Sequence, residues 1–158
     1  MNARNARHST FVIERTFDAA PAVVFSAWAD PAAKARWFAG TKGKWTQTER
    51  TLDFRVGGTE RLVGAWTDGP VSVFNARYED IVPDERIIYT YDMHMGERRI
   101  SISLATVQFQ PAGGGTRMTF TEQDVFLDGY DDAGSREHGT NWLLDKLGDA
   151  LKTETAGA

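Results

Sequence analysis

Hydrophobic and polar residues follow two different periods in the first part of the chain. Phe11 and Ile13 recur at a period of two, which is typical of a half-buried strand. Residues 21–29 instead carry apolar side chains at helical spacing. Asp30 followed by Pro31 then predicts a second helix, with an N-cap and a proline at the first helical position. The chain is therefore predicted to begin with a strand and two short helices.

The middle of the chain consists of alternating segments separated by turn residues. Glycine, proline and aspartate mark these turns at positions 57–58, 68–69, 83, 96 and 113–115. Successive strands joined by such short turns predict an antiparallel, curved meander. Residues 135–153 then carry a single stripe of leucine and alanine, which predicts a long amphipathic terminal helix.

These elements together predict an α+β fold. A long helix with one apolar stripe must bury that stripe, and only a curved sheet offers a large enough partner. We expect an antiparallel sheet of about six to seven strands wrapped on the C-terminal helix, with space for a cavity between them. The predicted domain spans residues 11–153, between flexible segments at 1–10 and 154–158.

The length, net charge and cysteine content of the chain argue against several classes of function. The 158 residues suffice for one domain with a core, and a net charge of −4 argues against nucleic-acid binding. Cysteine is absent, which excludes disulfides and thiolate ligands, and no apolar run reaches the length of a signal peptide or a membrane span. His8, His94 and His138 lie on different predicted elements. We therefore expect a cytoplasmic protein without metal or cofactor.

Several segments resemble the START-like (SRPBCC) superfamily, and within it the bacterial relatives of the activator of the Hsp90 ATPase. The resemblance runs from about Phe11 to Leu151 and rests on FDAAPAVVFSAWADPAAKARWF, RVGG, ARYEDIVPDERIIYTYDMH, GGGTRMTFTEQDVFLDG and REHGTNWLLDKLGDAL. It implies a helix-grip fold with a hydrophobic cavity, in a superfamily of lipid and hormone binders, cyclases and aromatases. No universal catalytic motif comes with it. Many relatives place tryptophan directly after the glycine equivalent to Gly139, where this chain has Thr140.

The acidic stretch 121–139 is the most conspicuous candidate for chemistry. It does not fit a calcium-binding loop, because the third and sixth positions counted from Asp128 are Tyr130 and Ala133. Most of its acids instead precede a helix, which Asp132 or Ser135 can cap.

Two carboxylates, Glu122 and Asp124, lie outside that interpretation. They share one predicted strand face with inward apolar residues, so Glu122 is expected at the cavity mouth and Asp124 near its rim. A carboxylate beside an apolar cavity has a raised pKa, which suits acid or base catalysis. The alternative is a structural ion pair with an arginine. The arginines considered for that pair are Arg15, Arg61 and Arg77.

The residues of the cavity walls are predicted from the alternation of side chains along the strands and from helical spacing along the last helix. His94 falls on the opposite strand face and is expected outside, while the glycine- and lysine-containing loop around Trp45 is a candidate lid. Tyr91 and Glu122 are the candidate catalytic residues. The residues predicted to bind a ligand are Trp66, Tyr89, Tyr91, Met93, Phe109, Met118, Phe120, Glu122, Trp142, Leu143, Lys146 and Leu147.

The leading functional prediction is the binding of a small hydrophobic or amphipathic molecule. One alternative is a cyclase- or hydrolase-like enzyme, which a buried Glu122 without an arginine partner would favour. The other is a co-chaperone-like interaction protein, which rests on the family name alone. Ile100, Ile102 and Leu104 occupy even-numbered positions, whereas the residues predicted to face inward after them, Val107 and Phe109, occupy odd-numbered ones. Either a bulge shifts the register there, or these three face outward and form a homodimer contact.

Overall fold

One curved seven-stranded antiparallel sheet and three helices make up the fold. The computed structural model describes residues 4–156, with side chains to residue 153. The sheet order is β1-β7-β6-β5-β4-β3-β2. This architecture confirms the predicted α+β helix-grip fold. The elements are β1 (Ala6–Phe17), α1 (Pro21–Ala29), α2 (Pro31–Ala35), β2 (Trp45–Leu52), β3 (Thr59–Trp66), β4 (Val71–Val82), β5 (Arg86–Met95), β6 (Arg98–Ala112), β7 (Gly115–Leu127) and α3 (Ala133–Ala156).

Both ends of the regular structure extend beyond what the alternation of apolar residues reveals. β1 begins at Ala6, because residues 6–10 pair with the end of β7. Their mostly exposed side chains leave no period-two apolar signal. At the other end, α3 continues to Ala156. Residues 4 and 5 are described and belong to no helix or strand, and residues 1–3 and 157–158 of the predicted flexible segments lie outside the described residues.

The core lies between the concave face of the sheet and the helices. On α3, Leu144, Leu147 and Leu151 are buried, as the leucine stripe predicts. Burying each such side chain stabilises the fold by roughly 1.5–3 kcal/mol. No helix in the described part of the chain is long and apolar enough to cross a membrane.

The helix starts follow the predicted capping. The Asp30 carboxylate accepts a hydrogen bond from the backbone N–H of Ala33 at 2.9 Å, at the start of α2. Before α3, Asp132 accepts the backbone N–H of Ser135, also at 2.9 Å. Asp132 is therefore the capping residue of the two candidates, and most of the acidic stretch is accounted for by this loop and cap.

A β-bulge divides the three isoleucine and leucine residues of β6. Met93 pairs with Ser101, but the next residue of β5 pairs with Arg99, so Ile100 is the extra residue. Ile100 is buried, with 6% of its surface exposed, whereas Ile102 is 38% exposed on the outer face. Each of the two predicted alternatives therefore applies in part. The predicted bulge is present and Ile100 is buried there, whereas Ile102 and Leu104 face outward.

Candidate functional site

A cavity of about 550 Å³ lies between the sheet and α3. Its walls come from α1, β2, β3, β4, β5, β7, α3 and the segment that follows α2. Aromatic side chains dominate them. All five tryptophans of the chain line this one cavity: Trp28, Trp37, Trp45, Trp66 and Trp142.

Two glycines determine the position of Trp45 in the cavity wall. A Cβ atom at Gly40 would lie 2.3 Å from the indole ring, and one at Gly64 would lie 1.9 Å from it. Only glycine permits such a close approach. The indole N–H also donates to the Ser72 hydroxyl at 3.3 Å. Trp45 is thus held in place as a wall; the lid function of its loop stays a prediction.

Most of the predicted ligand-binding residues surround this cavity. Whether they contact a ligand stays a prediction. His94 lies outside the cavity, 3.6 Å from Asp92. Thr140 does line it and donates its hydroxyl hydrogen to the backbone carbonyl of Arg136 at 2.9 Å. The predicted residues found in the walls are Trp66, Tyr89, Tyr91, Met93, Phe120, Glu122, Trp142 and Leu143.

Four predicted wall residues lie elsewhere. Phe109, Met118 and Leu147 belong to the hydrophobic core. The Phe109 ring packs edge-on against Phe25 of α1, with centroids 5.6 Å apart. Inward-facing residues on this half of the sheet therefore meet helix α1 rather than open space. Lys146 lies behind the wall, where its ammonium donates to the carbonyl of Ala39 at 3.2 Å.

Glu122 forms the buried polar end of the cavity together with Tyr91 and Arg136. Its side chain lines the cavity but is almost fully enclosed, at 1% exposure. The Tyr91 hydroxyl donates to Oε1 of Glu122 at 2.9 Å and accepts a hydrogen bond from Nη1 of Arg136 at 3.0 Å. Nη1 also lies 3.9 Å from Oε2 of Glu122. The carboxyl, the phenol and the guanidinium are therefore linked in one network.

The arginine partner of Glu122 is not one of the three predicted. Arg15, Arg61 and Arg77 pair with acids elsewhere: Asp145, Glu49 and Glu79. The sequence did contain a signal for Arg136. Arg136, Thr140 and Leu144 are spaced four residues apart, so Arg136 lies on the same face of α3 as the buried leucines.

Arg136 binds polar groups on several sides. Nη2 donates to the Ser101 hydroxyl at 2.7 Å and to Oδ2 of Asp131 at 3.0 Å. Nη1 donates to the Ser103 hydroxyl at 3.4 Å and lies 3.7 Å from Oδ1 of Asp124. The chain itself thus uses the terminal N–H groups of the guanidinium.

Asp124 is buried behind Glu122 and not at the cavity rim, at 2% exposure. The rim prediction is wrong because Ser103 lies directly opposite on β6 and donates its hydroxyl hydrogen to Oδ1 of Asp124. Within the described residues, Oε2 of Glu122 and Oδ2 of Asp124 have no hydrogen-bond donor. Burial raises the pKa of Glu122 well above its ordinary value, and the adjacent Asp124 carboxyl raises it further, against the opposing effect of Arg136. One proton shared by the two carboxyls satisfies this geometry.

A second buried charged cluster lies beneath the cavity. The Lys34 ammonium and the Tyr78 hydroxyl each donate to Oε1 of Glu60 at 2.6 Å. All three side chains are buried. Burial lowers the pKa of Lys34, while the Glu60 charge acts in the opposite direction. Sequence reasoning missed this cluster, although Glu60 shares the inward parity of Leu62 on β3.

A metal site requires a defined arrangement of acidic or histidine side chains. Across residues 4–153, no group of three His, Asp or Glu side chains is placed to hold a metal ion. The groups that the chain itself supplies at the polar end, Glu122, Asp124 and Tyr91, can form hydrogen bonds, carry charge and exchange a proton.

Several solved structures are similar to this one. An uncharacterized protein from Rhizobium leguminosarum is 53% identical over 96% of this chain and 99% of that chain, with a TM-score of 0.91. The Mll3558 protein from Rhizobium loti is 44% identical, covers 92% of this chain and 99% of that chain, and has a TM-score of 0.86. An AHSA1-like protein from Aeromonas hydrophila, 22% identical, covers 93% of this chain and 94% of that chain and shares the fold, with a TM-score of 0.68.

The family assignment agrees with the resemblance seen in the sequence. No curated protein matches the chain. The model of the family described as "Activator of Hsp90 ATPase homolog 1-like protein" matches residues 18–152, which cover nearly all of the fold. The chain therefore belongs to this family of START-like domains.

Proposed function

We propose that the chain binds a small hydrophobic or amphipathic molecule in the cavity between the sheet and α3. The observation that carries this proposal is the cavity itself, about 550 Å³ in volume and walled largely by aromatic side chains. Ligand pockets typically measure about 300–1,000 Å³ and combine apolar walls with a few convergent polar groups. The network of Tyr91, Glu122 and Arg136 supplies those polar groups at one end.

The aromatic walls support one another, which favours a preformed site. The rings of Trp28 and Trp37 meet edge-on at 4.8 Å, and those of Phe74 and Tyr91 lie 4.9 Å apart. A ligand that buries about 200 Å² of apolar surface here gains roughly 5 kcal/mol of transfer free energy, before the cost of its immobilisation. A braced wall reduces the further cost of ordering side chains on binding.

Two alternative functions are less well supported. An enzyme would use Glu122 as acid or base, and its raised pKa suits that role. Arg136 is nevertheless an arginine partner, and such a partner favours the structural and binding role over catalysis. A co-chaperone role, suggested by the family's description, would be favoured by a cavity filled with the protein's own side chains, whereas open space remains here.

Native mass spectrometry of the freshly purified protein tests the proposal. We expect a mass excess under gentle conditions that is lost on denaturation, which identifies a bound small molecule. Leu143→Trp places a larger side chain in the cavity wall and should reduce this occupancy, whereas Ile102→Trp on the outer face should not. Equal occupancy in both variants would contradict the proposed site.

The same spectra address the alternatives. Conversion of the co-purified molecule on incubation, lost in Glu122→Gln, would replace the binding proposal with the enzyme. A protein that purifies without any ligand and binds no apolar probe would contradict both. The native mass also reports whether the protein forms a homodimer, the contact predicted for the outward-facing residues of β6.

A further inference from the structure

We infer that the bound molecule carries an amine, and that the ammonium group lies beside Glu122 and Tyr91 at the polar end of the cavity. This inference rests on the proposed function and specifies its ligand class. It depends on three features of the polar end. The carboxyl groups outnumber the guanidinium, the N–H groups of Arg136 already have acceptors, and one oxygen each of Glu122 and Asp124 has no donor among the described residues.

The polar end contains more acids than bases. Three carboxyl groups surround the single guanidinium of Arg136. Asp131 lies at 3.0 Å, Asp124 at 3.7 Å and Glu122 at 3.9 Å. If Glu122 and Asp124 share one proton, the cluster still carries one negative charge in excess. An ammonium group that takes the place of this proton keeps the excess at one negative charge, whereas a carboxylate would double it.

The arginine is not available to an anionic ligand. An arginine in a cavity ordinarily suggests a carboxylate or phosphate site, because its N–H groups form a fork that matches such anions. Here the two terminal nitrogens of Arg136 already donate to Tyr91, Ser101, Ser103 and Asp131. A ligand anion would have to displace these bonds and lie next to the acids.

Among the described residues, three buried side-chain atoms have no hydrogen-bond partner: two are acceptors at the polar end, and the third is the donor Nε1 of Trp28 in the cavity wall. Oε2 of Glu122 and Oδ2 of Asp124 are buried without a donor in the described part of the chain, and Glu122 belongs to the cavity wall. A primary ammonium has three N–H donors and no acceptor, which is the complement of this arrangement. The rings of Phe74, Tyr89 and Tyr91 form the adjacent wall, and aromatic faces attract a desolvated cation.

Binding of an ammonium group should displace the shared proton. With the amine absent, one proton lies between Glu122 and Asp124. When the ammonium donates to Glu122, that proton is no longer needed and leaves to the solvent. The charged or titratable groups that face Glu122 are Asp124 on its own strand, Tyr91 from β5 and Arg136 from α3. Asp131 and His138 line the same cavity.

Isothermal titration calorimetry with three probes of equal chain length tests the inference. Decylamine, decanol and decanoate differ only in the polar group. We expect decylamine to bind roughly tenfold more tightly than decanol, because a charge-assisted hydrogen bond is stronger than a neutral one. Decanoate should bind most weakly. Decanol should compete with decylamine, which shows that both occupy the cavity. In two buffers of different ionisation enthalpy, the heat should reveal a proton released with decylamine only.

Variants locate the preference. Glu122→Gln should abolish the advantage of decylamine over decanol, whereas Glu14→Gln, an exposed acid on β1, should retain it. If Glu122→Gln does not fold, Asp131→Asn lowers the acid excess at a more accessible position and should reduce the advantage.

The outcomes separate this inference from the proposed function. Binding of decanol without any preference for decylamine, or decanoate binding as tightly as decylamine, overturns the amine inference and leaves the cavity function in place. Failure of all three probes to bind overturns both.

Discussion

The two buried charged clusters of the molecule differ in how completely their charges are matched. In the cluster beneath the cavity, one ammonium and one phenol donate to one carboxylate, Lys34 and Tyr78 to Glu60, and all are enclosed by protein. At the polar end of the cavity, three carboxyls share one guanidinium, and two carboxyl oxygens have no donor among the described residues.

The difference agrees with the proposed division between a stabilising cluster and a ligand site. A charge buried in the core must have a matching partner, because leaving it unpaired costs several kcal/mol. An unmatched group persists where something else can complete it, such as a proton or a ligand entering from a cavity. We therefore assign the matched cluster to stability and the unmatched one to the proposed ligand site.

Breaking the matched cluster should have the largest effect. Lys34→Ala leaves the Glu60 charge buried without its cation, and we expect the free energy of unfolding to fall by about 3–5 kcal/mol. Urea denaturation measures this. The double variant Lys34→Met with Glu60→Leu removes both charges and should recover most of the loss. Lys152→Ala, on the exposed side of α3, serves as the control. A loss below about 1 kcal/mol in Lys34→Ala would mean that the pair is not energetically coupled.

Removing the cation from the unmatched cluster should cost less and should depend on pH. Arg136→Met leaves three carboxyls together, and we expect a loss of about 2–3 kcal/mol near neutral pH. At about pH 5 the loss should shrink, because more of the carboxyls can be protonated. Urea denaturation at both pH values tests this, with the exposed Arg117→Met as control. A loss that is the same at both pH values would contradict the excess of acid.

The two clusters should also give stability slopes of opposite sign. The pKa of Glu122 is raised in the folded state, so above the unfolded value of about 4.3 the unfolded chain releases a proton that the native chain keeps. Stability therefore falls with rising pH up to the native pKa, by at most about 1.4 kcal/mol per pH unit. Glu122→Gln should remove this fall and gain stability relative to the wild type as pH increases.

For Lys34 the sign is reversed. Its pKa is lowered in the folded state, so between that value and about 10.4 the unfolded chain holds a proton that the native chain lacks. Stability contributed by this group rises with pH in that window. Lys34→Met should remove the rise. Urea denaturation of the wild type, Glu122→Gln and Lys34→Met across a pH series compares the slopes, and slopes of equal sign would refute the contrast.

The smallest effects should come from single hydroxyl groups. Tyr78→Phe removes a donor from the fully buried Glu60, and we expect a loss of about 1–2 kcal/mol in the free energy of unfolding. Tyr91→Phe also removes a donor, but a protonated Glu122 depends less on it, so about 1 kcal/mol or less is expected. Thermal or urea unfolding ranks the two variants. A larger loss for Tyr91→Phe would indicate an ionised Glu122.

The alternation of apolar residues predicted the architecture because each element has a face that must be buried. The stripe of Leu144, Leu147 and Leu151 and the caps at Asp30 and Asp132 are local signals, readable over a few residues. They predicted α3, the two short helices and the sheet that encloses them.

The site was predicted only in part. The alternation of residues along a strand shows which side chains face inward, but it does not show whether they pack against the core or line a cavity. Phe109 and Met118 face inward and meet other side chains of the core, whereas Tyr89 and Tyr91 face inward onto the cavity. The ion-pair partner of Glu122 depends on the direction in which α3 crosses the sheet. This direction brings Arg136 next to Glu122. The bulge at Ile100 follows from the pairing of β5 with β6 and has no local signature in the sequence.

The placement of the tryptophans has a spectroscopic consequence. Because all five indoles line one cavity, the intrinsic fluorescence of the protein originates at its walls, with no tryptophan elsewhere to contribute a background. Indole emission responds to the polarity of its surroundings, so replacing water by an apolar molecule should shift the emission of the more exposed indoles, such as Trp142, to shorter wavelength. The cavity thus reports its own occupancy, and filling it can be followed in real time without a label.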